Sequence, residues 1–244
     1  MPNTTAPVGV TPAPKSLLAR FIGIITSPRA TFISVVPFPK WLGMLALTTV
    51  IVAFFAALPM TTEAGRQSAI DQQVSSMKSF GFEVSDEMYA QLEKRSKTMP
   101  YTTAGSVLFF WPIVTVIIAA ILFGIFNVAL GGEASFKQMF TVLVHAAAVS
   151  ALSAVFSGIV NYLRGGVGSA ANLGALLPML PEQSFAANLL GTVDVFLIWY
   201  VIVLAMGLGV LYKRRTQPIA ISLLAFYAVV ALVIAVVKSR TGGA

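Results

Sequence analysis

From Trp41 to Leu58 the chain carries no charged residue, and the same holds from Ser106 to Leu130, Met139 to Tyr162 and Pro218 to Val237. A fifth apolar run, Leu189–Tyr212, contains one acid, Asp194. Each run is about 20 residues long, which is what an α-helix needs to cross a hydrocarbon core of roughly 30 Å. Lipid offers no hydrogen-bond partner to an open strand, so runs of this kind are expected to be helices. Composition agrees: 57% of residues are hydrophobic and 10% charged, whereas a soluble domain carries roughly 25% charged residues. The expected fold class is all-α, a polytopic membrane helical bundle with five transmembrane helices. Short interfacial helices at the N-terminus and a small helical external loop complete it. The domain division is a disordered leader over 1–14 and a single membrane domain over 15–240. Its spans cover about 41–58, 106–130, 139–162, 189–212 and 218–237, and the external helical loop covers 60–104.

Basic residues orient the spans. Lys15, Arg20, Arg29 and Lys40 precede the first, Lys137 lies between the second and third, and Lys213, Arg214 and Arg215 follow the fourth. These share a side with one acid, Glu133, whereas the other side dilutes its basic residues with eight acids. Short loops rich in Lys and Arg stay in the cytoplasm. The expectation is a cytoplasmic N-terminus and an outside C-terminus. The net charge of +7 flanks apolar spans and forms no polar stripe, so anionic headgroups are expected as partners and nucleic acid is not.

The segment before the first span reads as an interfacial collar. "KSLLARFIGII" groups Leu17, Leu18, Phe21, Ile22 and Ile25 on one helical face, which suits a helix lying in the headgroup plane. Ser27 is a candidate N-cap with Pro28 at the first helical position, and Pro37 and Pro39 redirect the chain into the first span. Lys15, Arg20, Arg29 and Lys40 are the candidate headgroup contacts. In the external loop, Ile70, Val74 and Met77 recur at helical spacing and Gly81 is a helix stop. A second helix follows, capped by Ser85 and closed by Pro100, with Met88 and Leu92 packing against the first. Arg164–Gln183, rich in Gly and Pro, reads as a connector or a re-entrant loop.

Little in the chain carries chemistry. There is no cysteine, which excludes disulfides and thiolate chemistry. No G-x-S-x-G elbow, HExxH helix or P-loop is present. The intramembrane polar residues are His145 and Asp194. His145 lacks the companions a metal site requires and reads as a helix-packing group. Asp194 reads as a capping carboxylate or part of a polar pathway. No cofactor or metal is expected. Ala146, Ser150, Ala154 and Gly158 repeat every four residues, the small-residue spacing that lets helices approach closely. They form a candidate packing seam, within the bundle or in a homodimer.

Two segments carry a resemblance. "IITSPRATF" before the first span and "GGEASFKQMFTVLVHA" leading into the third resemble the Yip-domain family of five-span membrane proteins, particularly its bacterial branch. Gly131, Gly132, Ser135, Phe136, Lys137 and Gln138 match the family's Gly-Gly-x-x-Ser-Phe-Lys-Gln segment. Family members often have a Tyr and then a Pro where this chain reads "VHAAAV". The Asp-Leu-Tyr-Gly-Pro segment of eukaryotic members, which are linked to small trafficking GTPases, is absent, so GTPase binding is not carried over. The resemblance implies a five-helix bundle with a cytoplasmic N-terminus. The expected function is a non-enzymatic membrane protein that organises lipid or assists a membrane complex, with another membrane protein or itself as partner. The alternative is a transporter or channel component.

Overall fold

The computed structural model describes residues 16–79, 81–176 and 184–241. The expected leader and Lys15 lie outside the described residues, as does part of the Arg164–Gln183 loop.

Two short helices come first. α1 (Leu17–Thr26) starts at Ser16, whose hydroxyl accepts from Ala19 N at 3.3 Å. α2 (Pro28–Val35) starts with Pro28, but Ser27 makes no side-chain capping bond. Its carbonyl instead accepts the Thr31 hydroxyl at 3.1 Å. α3 (Leu42–Ala57) is the first long rod, and α4 (Glu63–Ser79) and α5 (Asp86–Arg95) form the polar excursion after it. The contact between α4 and α5 differs from expectation: Met88 is exposed, and Tyr89 receives a 2.5 Å bond from Gln67 Nε2.

Pro100 does not close α5. A short 3-10 turn follows Arg95, and Pro100 sits in the first turn of α6 (Met99–Phe123), where a missing N–H has no intrahelical partner to lose. α6 ends in a π turn over Gly124–Ala129. The third expected span is two helices, α7 (Phe136–Ala146) and α8 (Ala148–Arg164), joined at Ala147, whose ψ of −9° lies at the edge of the helical region while Ala147 N still donates to Leu143 O. The fourth expected span, 189–212, is also broken. α9 (Phe185–Thr192) stops before Val193, and α10 (Val195–Leu211) restarts under Asp194, which adopts extended geometry and accepts from Leu197 N at 3.0 Å. α11 (Thr216–Thr241) is the last rod.

The architecture is an all-α polytopic membrane bundle. Four helical stretches are long and apolar enough to cross a membrane: Leu42–Thr61, Asp86–Ala129, Phe136–Arg164 and Thr216–Val237. α10 is shorter, with 17 residues, about 25 Å at 1.5 Å per residue. Its centre is nevertheless buried, with Val203, Leu204, Ala205 and Leu208 in the core. The innermost element is α7, in which every residue from Met139 through Ala146 is buried. It packs against α1, α3, α6 and α10. Outward faces of α6 and α11 expose large apolar side chains such as Phe109, Ile117, Ile221 and Phe226, as lipid-facing helices do.

The rods share two ends. At one, Trp41 meets Phe140 edge-on with centroids 5.2 Å apart, Gln138 donates to Val36 O and Arg214 donates to Leu130 O. These contacts bring the starts of α3, α7 and α11 together with the ends of α6 and α10. Lys40, Lys137, Lys213, Arg214 and Arg215 adjoin these contacts in sequence, and Arg20 reaches Lys40 O, with Glu133 as the accompanying acid. This is the basic end. The opposite end carries α4, α5, α9 and the connections around Asp194, and is called the loop end.

Candidate functional site

The Gly-Gly-x-x-Ser-Phe-Lys-Gln segment becomes a structured corner of the basic end. Gly131 turns the chain at a φ of +66°, a conformation side chains rarely adopt. Gly132 is pressed against α10: a β-carbon there would sit 2.4 Å from Tyr212 Cε1. Ser135 and Gln138 then form a reciprocal capping box at the start of α7, with Gln138 Oε1 accepting from Ser135 N at 2.9 Å. Two of the four N–H groups a helix start leaves unpaired are satisfied in this way. Gln138 Nε2 also reaches Val36 O at 3.4 Å, which ties the corner to the collar.

The π turn ending α6 aims Phe126 and Asn127 at the same corner. Phe126 stacks on Tyr212 with centroids 4.9 Å apart. The Tyr212 hydroxyl donates to Asn127 Oδ1 at 2.5 Å, and Asn127 Nδ2 donates to Ala134 O at 2.6 Å. Asn127 thus fastens α10 to the glycine turn. A polar chamber of about 410 Å³ opens here, lined by Gly131, Glu133, Gln138, Lys213 and Arg214 among others. It adjoins an apolar groove of about 750 Å³ between α6 and α11, and Arg214 lines both.

The collar is built into the bundle. Ile24 and Phe32 are fully buried, and Phe32 lies in the hydrophobic core together with Val142 and Leu208. Leu18 and Ile22 point away from it and are exposed. Arg20, expected as a headgroup contact, is partly buried and makes contacts within the chain. Its guanidinium turns inward, donates to Lys40 O at 2.9 Å and faces His145 Nε2 at 3.5 Å. His145 is fully buried, and its Nδ1 lies 2.8 Å from Thr141 O. A carbonyl only accepts, so Nδ1 carries the proton and Nε2 presents a lone pair toward Arg20. The expected packing role of His145 thus takes the form of a relay from collar to core. Arg29 and Lys40 remain exposed.

The small-residue stripe is turned onto α3. Gly158 is buried, and a β-carbon there would lie 2.5 Å from Phe55 O. Ala146 is fully buried on the other side of the Ala147 break. Ser150 and Ala154 instead line a pocket of about 410 Å³ toward the loop end, with Val52, Trp111 and Ser157. Asp194 reaches the same pocket from α10, accepts a hydrogen bond from the Ser169 hydroxyl and bridges to Asn172. Tyr227 holds this break closed, donating to Thr192 O at 2.6 Å and accepting from Asp194 N at 3.2 Å.

Sequence reasoning missed Tyr212, Asn127 as a fastener, Trp111 and Tyr227. The "YKRR" run marks where Tyr212 lies, but its stacking partner is 86 positions away by the numbering of Phe126 and Tyr212, which no local pattern reveals. Among the described residues no three His, Asp or Glu side chains are grouped to hold a metal ion.

No curated protein and no solved structure matches the chain. The model of the Yip1 domain matches residues 22–237, which takes in most of the collar, the glycine corner, the bundle core and the Asp194 break, and the chain therefore belongs to the Yip1 domain family.

Proposed function

We propose that the chain is a non-enzymatic integral membrane protein that organises lipid, or steadies a membrane complex, through a basic face rigidly joined to its helix core. The basic end lies on the cytoplasmic side of a bacterial cytoplasmic membrane and rests on anionic headgroups. The observation that carries this reading is the seating of the collar. With Ile24 and Phe32 fully buried and Arg20 held between Lys40 O and His145, α1 and α2 cannot swing away as a separate tether. What the headgroups do to the exposed Arg29 and Lys40 is therefore felt by α7, the centre of the bundle. Each basic residue near an anionic surface contributes about 1 kcal/mol. The outward apolar faces of α6 and α11 suit a second copy or another membrane protein as partner.

Hydrogen exchange on the full chain in vesicles tests this. Residues 17–35 exchange more slowly in vesicles containing phosphatidylglycerol than in phosphatidylcholine alone, and salt narrows the difference because screening acts within roughly 10 Å at 0.1 M. Equal exchange in both vesicles removes the lipid-sensing role of the collar.

The second reading, a transporter or channel component, is favoured by the pocket toward the loop end. Ser150, Ser153, Ser157 and Asp194 line it together with Trp111, whose buried Nε1 has no hydrogen-bond partner among the described residues. Such groups are costly to leave unpaired. Solute flux in proteoliposomes that Asp194→Asn alters supports this reading, and an absence of flux across small solutes and protons leaves the first.

A further inference from the structure

We propose that the basic end holds one anionic glycerophospholipid, its acyl chain in the groove between α6 and α11 and its headgroup in the adjoining polar chamber. The site rests on the membrane reading above but not on the collar, which lies elsewhere on the same end.

The groove exists because α6 and α11 pack on other helices rather than closely on each other. α6 lies mainly on α3 and α7, and α11 on α9 and α10. The gap between them is floored by Leu122, Phe126 and Leu204, which are buried at its base. Its walls are Ile118, Ile121, Ile125 and Phe226, exposed and apolar. At about 750 Å³ it falls in the range of roughly 300–1,000 Å³ that holds a small organic ligand. Along α6 and the π turn that ends it, the groove runs from Ile118 to Leu130, at most about 18 Å at the α-helical rise of 1.5 Å per residue. The hydrocarbon core is roughly 30 Å thick, so the groove reaches from the basic end to about the midplane. That length fits the acyl chain of one leaflet.

Charge at the mouth selects the headgroup. Arg214 and Arg215 line the groove where it opens. Arg214 spends one nitrogen on Leu130 O at 2.9 Å, and a guanidinium has five donors. Arg215 is exposed, and the N-terminal end of α11 begins immediately after it. A phosphate at this mouth meets two guanidinium groups and the positive end of a helix dipole. Lys213 and Arg214 then lead into the polar chamber, where the exposed Glu133 carboxylate offers acceptors. A headgroup with hydroxyls donates to them. Phosphatidylglycerol combines a net negative charge with such hydroxyls, and phosphatidylethanolamine, which lacks net charge, is the competing occupant.

Native mass spectrometry of the purified full chain, equilibrated with phosphatidylglycerol and phosphatidylethanolamine of equal chain length, tests the assignment. The protein retains one phosphatidylglycerol per chain with a preference of about thirtyfold, as expected for two basic contacts that favour the net negative charge. Arg214→Gln with Arg215→Gln loses that preference, and Arg215→Gln alone, which breaks no hydrogen bond among the described residues, reduces it severalfold. Ser222→Trp fills the groove and lowers retention of both lipids. Arg29→Gln with Lys40→Gln leaves retention unchanged, which separates this site from the collar. Equal retention of the two lipids, a preference that survives in the arginine variants, or a dimer whose second copy excludes lipid from the groove overturns the proposal.

Discussion

Adding one methyl group at Gly158 tests how tightly α8 is pressed onto α3. A β-carbon there would lie 2.5 Å from Phe55 O, 2.9 Å from Phe55 Cβ and 3.1 Å from the Phe55 carbonyl carbon. Comfortable contact between carbons begins at about 3.5 Å. Two of the three atoms are helix backbone, so no rotamer change relieves the clash and α3 itself must move. Overpacking of this kind costs about 1–3 kcal/mol. Gly105 in α6 supplies the opposite case, because a β-carbon there meets nothing within 4 Å. Ala at that position removes the cost of glycine in a helix, about 0.8–1.0 kcal/mol. The same chemical change therefore carries opposite signs at two sites. Thermal unfolding in detergent, followed by helical circular dichroism, reads the difference. The same helix gain offsets about 1 kcal/mol of the clash at Gly158, so with roughly 2–4 °C per kcal/mol for a chain of this size, Gly158→Ala melts about 3 °C below the parent and Gly105→Ala at or above it. A Gly158→Ala protein that melts with the parent refutes the close α3–α8 approach.

Other substitutions probe the remaining joints. Arg20→Ala removes the charged donor from Lys40 O and lowers stability by about 1.5–3 kcal/mol, whereas Arg29→Gln, on the exposed side of the collar, stays within about 0.5 kcal/mol of the parent in the same melt. Asp194→Ala deletes the cap on Leu197 N and costs about 1 kcal/mol, with faster amide exchange confined to the first turn of α10. Tyr227→Phe frees Thr192 O and Asp194 N and speeds exchange on both sides of the break between α9 and α10.

The spans were legible because a membrane admits few solutions. Apolar length alone marks α3, α6 and α11. Where those runs break was less visible. The interruption at Ala147 has no proline or glycine to announce it and sits where every residue from Thr141 to Val149 is buried, so tertiary packing sets it. The π turn at Gly124–Ala129 is likewise a register change that hydrophobic period does not record. Asp194 did carry a local signal, an acid directly before an apolar run as at any helix start, but the hydropathy around it favours one continuous span. The inward contact of Arg20 is hidden for a related reason. Helical periodicity puts it at the edge of an apolar face, and only the position of His145, 125 residues later, decides that it turns inward. At the glycine corner the residues themselves were named in advance. Their purpose came from Tyr212, Asn127 and Val36, which lie far from them in sequence.

The absence of cysteine from the chain gives the central claim a clean measurement. Single cysteines replace Lys137 and Arg215 at the basic end and Lys97 at the loop end, all exposed positions, in protein expressed in the cytoplasmic membrane of a bacterial host. A membrane-impermeant maleimide is applied to intact and to opened cells. The bundle with a cytoplasmic basic end predicts that Lys97→Cys labels in intact cells, while Lys137→Cys and Arg215→Cys label only after opening. Labelling of all three from one side, or of the basic end from outside, contradicts it.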